Sequence, residues 1–573
     1  MNAKYLFNRC LWGLLLLFLT AACKEDDNNI DNSALTLLSY TPENGTSIVS
    51  EGTVTLTFSK NVRQASGTEI TINDAATRVI ITDNVVYCHY SLPYANKLTI
   101  NIPSGALTDM NGGQSFEGIT LQYPLEISRK LFDAVVDANG NGNYATITEA
   151  IDNAPSSSEE PYLIFVADGN YNEMVSVSKP YIHLIGQSRE NTRIQYAVNR
   201  TGNSDGTQGS ATDEAWAYSI RNSASPARQA GYTAENEAVL LIKANSSGMD
   251  FYGENLSFVN LFGADGERYD GGLLLDGQAD ALMTRSDRIA FYNCRMVSYQ
   301  DTWWVRMNSG DTYLQARNYA DNCWIEGRTD YLYGNANLLV ENSTFYNVTR
   351  TNQGNNLGGG PITAGSHYAG TNWGHVMLNC TIDGDDVLKI QSSSTTTLSL
   401  GRPWQNEPIS VWINTTLYVP IKDGHWDNMS VLPKLYAEYN TMYNNQNIAV
   451  EENIKKEYLV NGANVAYEGP YVLNDVSSYT YENIIMGTDG WNPKEFYSNI
   501  PEIDKNSIML NGTTLTWEGS NTALCYLVFK QVNGKWQYVA NTTENSYEVD
   551  DVQGTYDVRA ANRYGSLSPA ASL

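Results

Sequence analysis

An asparagine recurs just ahead of short strand-like runs through the middle of this 573-residue chain: "ENLSF" (Asn255), "YNCRM" (Asn293), "DNCWI" (Asn322), "ENSTF" (Asn342), "LNCTI" (Asn379) and "INTTL" (Asn414). The intervals are 38, 29, 20, 37 and 35 residues. The shortest has the length of one bare coil, and the others read as the same coil with loops inserted. Irregular repetition of β-rich units points to a solenoid, and most simply to a parallel β-helix, over residues 126–500. A set of unrelated β-turns is the competing reading. Cys294, Cys323 and Cys380 each follow one of these asparagines, which predicts a stack of small buried thiols inside the coil. The 38 tyrosines and 45 glycines, with only 17% charged residues, fit an all-β chain with long polar loops.

The flanks read differently. Residues 35–125 alternate in short strands ("TVTLTFS", "EITIND", "VVYCHYSL", "KLTINIP"), the pattern of a β-sandwich. The phrases "TPENGT", "LTFSKNV" and "IPSGALTDMNGG" resemble a bacterial Ig-like module, a spacer or adhesion unit. Residues 501–573 resemble a fibronectin type III-like sandwich. Neither flank clusters titratable residues in a way that suggests chemistry.

At the N-terminus, Lys4 and Arg9 precede an apolar run from Leu11 to Leu19 and then small residues. This is a secretory signal, too short to span a membrane as a helix. Its end on Cys23 resembles a bacterial lipoprotein cleavage site, although Thr20 stands where leucine is usual; a plain cleaved signal peptide is the alternative. That assigns 1–22 to the signal, lipidation to Cys23 and an acidic tether to 23–34. "KEDD" resembles the tag of surface-exposed lipoproteins and equally fits a solvated tether. The expected address is the outer membrane, facing the cell exterior, with membrane contact only through the lipid.

The net charge of −27 leaves no basic stripe for nucleic acid. Five scattered cysteines remain beyond the first two, without C-x-x-C spacing, so neither a disulfide framework nor a metal site is expected. His89, His183, His367, His375 and His425 share no spacing and are read as non-catalytic.

The asparagine register isolates a pair of acids. Asp301 lies eight residues after Asn293, and Asp330 eight after Asn322. Equivalent positions on consecutive coils put the two carboxylates on one face, with strands about 4.8 Å apart. Three other repeats carry Gly263, Arg350 and Val387 at that offset. Two acids so close titrate as a unit, one of them raised, which suits a general acid beside a nucleophilic carboxylate. The plainer reading has one aspartate capping a turn and the other meeting a surface arginine.

Around this pair the middle region resembles the pectin methylesterases (pectinesterases), carbohydrate esterases on a right-handed parallel β-helix. "GNYNEMV" (Gly169, Tyr171, Glu173) is similar to the family's G-x-Y-x-E segment. "GQADAL" is similar to Q-A-V-A-L, with Gln278 kept and Asp280 in place of valine. "YQDT" and "LGRPW" match outright, and "TDYLYG" resembles D-F-I-F-G with tyrosines for phenylalanines. "YAEYN" and "GTDGWNP" fit the closing segments. The resemblance implies that Asp330 is the nucleophile on the C6 methyl ester of galacturonate, releasing methanol. It implies that Asp301 is the general acid and then base, that Gln300 and Gln278 are oxyanion donors, and that Arg402 holds Asp330 ionised. Trp404 and Tyr333 would bear the sugar ring, with Trp303 a wall of the groove. The implied partner is methyl-esterified pectin or its oligosaccharides, acted on by a monomer without cofactor or metal. The glutamines equally fit an internal polar ladder, and Arg402-Pro403-Trp404 an ordinary turn.

The 29-residue step from Asp301 to Asp330 is longer than expected for the family, which predicts a loop over the cleft within Arg306–Ala316. The long polar stretch before "VLLIKA" is a second insertion. A serine esterase would need a G-x-S-x-G elbow, which the chain lacks. A β-helix pectate lyase or polygalacturonase, or a non-catalytic surface glycan-binding protein, remains the alternative.

Overall fold

The computed structural model describes residues 33–92, 97–111, 113–126, 128–158, 160–198, 238–245, 247–274, 277–307, 315–349, 359–447 and 454–572. The expected N-terminal signal, Cys23, most of the expected tether, nearly all of the polar stretch before "VLLIKA", and 308–314 of the expected cleft loop lie outside the described residues. The chain divides into two compact units, one ending at Pro124 and one running from Leu125 to Leu573.

The first unit is built from antiparallel strands in a four-stranded and a five-stranded sheet, with a separate two-stranded pair. Burial at every second residue of Glu51–Phe58 gives it an apolar face of Val54, Leu56 and Phe58. Leu98, Ile100 and Ile102 do the same for Lys97–Ile102.

The second unit is a parallel β-helix. Among the described residues, seven full coils each add one strand to each of three sheets, and partial coils at the ends extend two of these sheets from seven strands to ten. Pairing is parallel from coil to coil, as in Phe251–Glu254 on Ile289–Tyr292 and then Arg317–Asp321. The turn from first to second sheet is where the repeat falls. Asn255, Asn293, Asn322, Asn342, Asn379 and Asn414, and a seventh, Asn440, all have φ between 48° and 56°. Asparagine tolerates that left-handed conformation better than other side chains with a Cβ. The side chains form a ladder, Asn293 donating to Asn255 (2.6 Å), Asn322 to Asn293 (3.3 Å), Asn414 to Asn379 (2.9 Å) and Asn440 to Asn414 (2.9 Å). It breaks at Asn342, which donates to Asp321 instead. The three following cysteines are free and buried in the core, and burial pushes the Cys323 and Cys380 thiols up to about 12.

The helix Ile147–Asn153 belongs to the N-terminal end of the coil. Glu173 accepts from the Ile147 and Thr148 N–H groups (2.8 and 3.0 Å), which satisfies its first turn. The G-x-Y-x-E segment is therefore an architectural device. At the other end, Asp489 of "GTDGWNP" pairs with Arg317 at 2.7 Å.

The C-terminal sandwich forms two sheets, of three strands and of four, around Leu515, Trp517, Tyr526, Val528 and Val558. It is not a separate body. Alternate residues of the same strand, Cys525, Leu527 and Phe529, join Phe165, Ile185 and Tyr252 of the β-helix in one apolar cluster. The sandwich covers the outer face of the first sheet. His183 Nδ1 donates to Tyr564 O (3.0 Å) and Gln187 to Trp536 O (2.8 Å) across this junction.

Candidate active site

The third sheet has two faces, and its registers assign every side chain to one of them. Leu240, Leu282, Trp303 and Leu332 pair in a row that points into the coil. The next row, Leu241, Met283, Trp304, Tyr333, Ala364 and Arg402, points outward. Leu241, Met283, Trp304, Tyr333 and Ala364 form an apolar cluster of their own, with Trp404 packed against it.

The turns that feed this sheet carry the acids. Gln300 bridges Thr329 in parallel, and Trp303 pairs with Leu332, so Asp301 and Asp330 share one register on consecutive coils. The ladder of backbone bonds continues through the turn: Arg328 N and Thr329 N donate to Tyr299 O, Asp301 N to Thr329 O, and Asp330 N to Pro361 O. Both aspartates sit in the left-handed region, φ 61° and 50°, where aspartate is tolerated but strained. The ladder on either side over-determines them. Both are buried.

Gln278, Gln300, Asp301, Asp330, Tyr333, Arg402 and Trp404 line one cavity, completed by Ala364 and Met429. Its volume, about 140 Å3, is below that of pockets that engulf whole ligands, which suits a site taking one group of a larger molecule. Gln278 and Gln300 are stacked on adjacent coils by a parallel bridge. Arg402 grips Asp330 with two bonds, Nε to Oδ1 at 2.8 Å and Nη2 to Oδ2 at 2.5 Å. Burial pushes the Asp330 carboxyl above the usual carboxylate range, Arg402 pulls it back, and the charge of Asp427 adds to the upward push. For Arg402, burial works against the charged form, but Asp330 outweighs it and the guanidinium is held charged.

Trp303 is the exception and corrects the sequence reading. It is fully buried in the coil, its Nε1 donating to Thr284 Oγ1 at 3.2 Å and its ring edge-on to Phe291, so it forms no wall of the cavity. Its neighbour Trp304 takes the outward position, stacked on Tyr333 at 5.3 Å and 15°, with the Arg306 guanidinium 4.5 Å over its ring. The sequence held the signal for this. The 29-residue step that pairs Asp301 with Asp330 also pairs Tyr333 with Trp304, whereas Trp303 matches the apolar Leu332. Met429 lies in a loop without periodicity, and no pattern marks it. None of the five histidines lines the cavity. His183, His367, His375 and His425 are buried elsewhere, and His89 belongs to the first unit.

The set amounts to one carboxylate aimed by a guanidinium, a second carboxyl one coil away, and two amides beside both. Such a set can supply what attack on an acyl carbon needs: a nucleophile, a proton carrier and donors for an oxyanion.

A family described as "Pectinesterase" matches residues 133–244 and 242–458, and a "Bacterial Ig-like domain" matches 31–147. Among curated relatives, "Probable pectinesterase/pectinesterase inhibitor 41" of Arabidopsis thaliana is 27% identical over 369 residues, covering 62% of this chain and 52% of its own length. "Probable pectinesterase A" of Neosartorya fischeri is 27% identical over 367 residues, covering 63% of this chain and 88% of that one. A solved "Pectin methylesterase from Carrot" has 23% identity and a TM-score of 0.45, over 62% of this chain and 93% of that chain. The chain thus spans about half the length of the first curated relatives it matches. With more than half of its residues matched by that family, and the β-helix and its cavity falling inside the match, the chain belongs to the pectinesterase family.

Proposed function

We propose that this protein is a pectin methylesterase that hydrolyses the C6 methyl esters of galacturonate in pectin or its oligosaccharides. The observation that carries the reading is the clasp of Arg402 on Asp330 inside the cavity that also gathers Asp301, Gln278 and Gln300. Asp330 attacks the ester carbonyl while the two glutamine amides donate to the developing oxyanion; one such donor typically lowers a barrier by about 3–4 kcal/mol. Collapse breaks the C–O bond to methoxide, which takes the Asp301 proton and leaves as methanol. Asp301, now a carboxylate, takes a proton from water, and the hydroxide attacks the mixed anhydride at the sugar carbonyl. Asp330 is released, and the product acid ionises to give free galacturonate and a proton. Tyr333, Trp304 and Trp404 supply the apolar surface on which the C–H face of the sugar lies.

A β-helix polygalacturonase would call for three neighbouring aspartates, and among the described residues two line this cavity. The N-terminal residues support the remainder of the reading: lipid on Cys23 and display at the outer-membrane surface. The test is methanol release from highly methylated pectin by wild type, Asp330→Ala and Asp301→Ala, alongside absorbance of unsaturated product. Wild type should release methanol, and each variant should lose it while keeping its melting transition. An unsaturated product, or undiminished release by either variant, overturns the reading. Cys23→Ala should move the protein from the membrane to the soluble fraction.

A further inference from the structure

Two departures from the family's motifs, 53 residues apart in the chain, meet in one hydrogen bond. Asp280 stands where the motif has valine, and Tyr333 where it has phenylalanine; the Tyr333 hydroxyl donates to Asp280 Oδ1 at 2.8 Å. Asp280 is fully buried and Tyr333 only 2% exposed. The two are on strands separated by Trp303–Val305, so the tyrosine side chain lies back across that strand to reach the acid. In doing so it stacks on Trp304 and presents its ring at the cavity.

The backbone is shaped for this contact. Gln278 bridges Gln300 while Leu282 pairs with Trp303, which leaves one extra residue on the 278–282 side. Ala281 N and Leu282 N both donate to Thr302 O, at 2.9 and 3.0 Å, and both side chains lie in the coil core. This is a β-bulge, a device that re-aims side chains beside active sites. In an unbroken strand residue 280 would share the inward face with Leu282. The bulge turns it to the outward face, where Tyr333 is. Asn260 holds the bulge from below: its amide donates to Asp280 O (3.0 Å) and Val198 O (2.8 Å), and its oxygen accepts from Val198 N and Phe262 N.

We infer that Asp280 is a positioning residue that fixes the Tyr333 ring as the sugar platform, through a brace spanning two coils. The inference rests on the esterase reading for its substrate but not for its geometry. A buried phenol hydroxyl and a buried carboxyl each lose a partner if the other is removed, whereas an apolar pair loses nothing. Acid and tyrosine therefore form one exchangeable unit, in which valine with phenylalanine works and either mixed pair does not.

The experiment compares wild type with Asp280→Val, Tyr333→Phe, the double variant and Asp280→Asn. It reads kcat and KM for methanol release, affinity for a methylated oligogalacturonide by calorimetry, and the melting transition. Each of the first two variants should raise KM and Kd about fivefold or more with kcat within about twofold of wild type. The double variant should return both to within about twofold, and Asp280→Asn, which still accepts the hydrogen bond, should resemble wild type. Penalties that multiply in the double variant, or an unchanged Kd in Tyr333→Phe, overturn the brace. If Asp280→Val does not fold, Tyr333→Phe against Asp280→Asn decides by the same criterion. A wild type that binds the oligogalacturonide yet releases no methanol refutes the esterase reading alone, and the calorimetric arm still tests the brace.

Discussion

Arg402 reaches back over the strand Pro361–Gly365 to clasp both oxygens of Asp330, at 2.8 and 2.5 Å, with the acid buried and the arginine a quarter exposed. The clasp solves a conflict within the site. A nucleophile shielded from water reacts better, but shielding alone favours the protonated, inert acid. A guanidinium bound through two parallel bonds restores the charge and fixes the direction of the lone pairs.

The pH dependence follows from the same balance. In the proposed mechanism Asp330 is ionised to attack, and burial lifts its pKa against the pull of Arg402. The acid limb of kcat/KM should therefore lie above the ordinary carboxylate range. Removing the arginine takes away the opposing pull, so Arg402→Ala should move the limb further up and cut kcat/KM at pH 6 by about a hundredfold or more, equivalent to about 2.7 kcal/mol of barrier. Arg402→Lys keeps the charge but not the fork and should fall between the two. The pH profiles of the three proteins check this ordering.

Asp427 supplies the opposite sign. Its charge raises Asp330, and its own cation is Lys422, 3.2 Å away. Asp427→Asn should lower the Asp330 pKa and shift the acid limb toward lower pH, with the plateau rate unchanged. A limb that stays in place or moves up would show that the two charges do not communicate.

The adjacent tryptophans should separate stability from binding. Trp303→Ala empties a site inside the coil and should cost about 3–5 kcal/mol in a urea melt. Trp304→Ala leaves the coil interior intact and removes the ring under Tyr333. It should raise KM severalfold with a smaller loss of stability.

That contrast also shows what the sequence could disclose. The asparagine repeat is legible because only a left-handed turn demands that residue at that place, and coil after coil needs the same turn. The acid pair is legible because it inherits the register. The inward or outward sense of a side chain in "DTWW" is settled by strand parity, which the aromatic composition hides. Asp280 is harder still, since a bulge reverses its parity, and a bulge is a pairing event between distant segments with no local mark. Met429 and Asp427 arrive on a loop whose course depends on the coils beneath it. The sandwich at the C-terminus reads correctly as a fold. Its apolar second face looks like ordinary alternation until the sheet it covers is present.

That junction contains a buried acid with a calculable pH effect. Glu254 accepts from Tyr252 OH (2.8 Å) and from Ser566 of the sandwich. Burial raises its pKa to about 7, and the two hydroxyls only partly offset it. The folded state therefore holds a proton that the unfolded chain releases near the ordinary glutamate value. The stability this contributes is complete below that value and lost as pH rises through about 7. Glu254→Gln should match wild type near pH 4 and exceed it above pH 8 by up to about 3 kcal/mol, one pKa unit being worth about 1.4 kcal/mol. Urea melts across pH check it. Equal stability of the two proteins at pH 8 would mean that the carboxyl ionises inside the junction without penalty.

The sandwich itself should prove indispensable to the β-helix. Cys525, Leu527 and Phe529 bury the outward side chains Leu163, Phe165 and Ile185 of the first sheet, all of them inaccessible to water. Ending the chain at Ile500 would expose that face, an apolar patch of the kind that drives association. The truncated protein should be insoluble or melt well below wild type, although every described residue lining the cavity is retained. A truncated protein with unaltered melting temperature and monodisperse sedimentation would instead make the sandwich a dispensable module. Phe529→Asp gives a milder version within the full-length chain. It places a charge against Phe165 and Tyr538 and should loosen the sandwich from the coil, detected as faster amide exchange in Leu163–Val166 with KM unchanged.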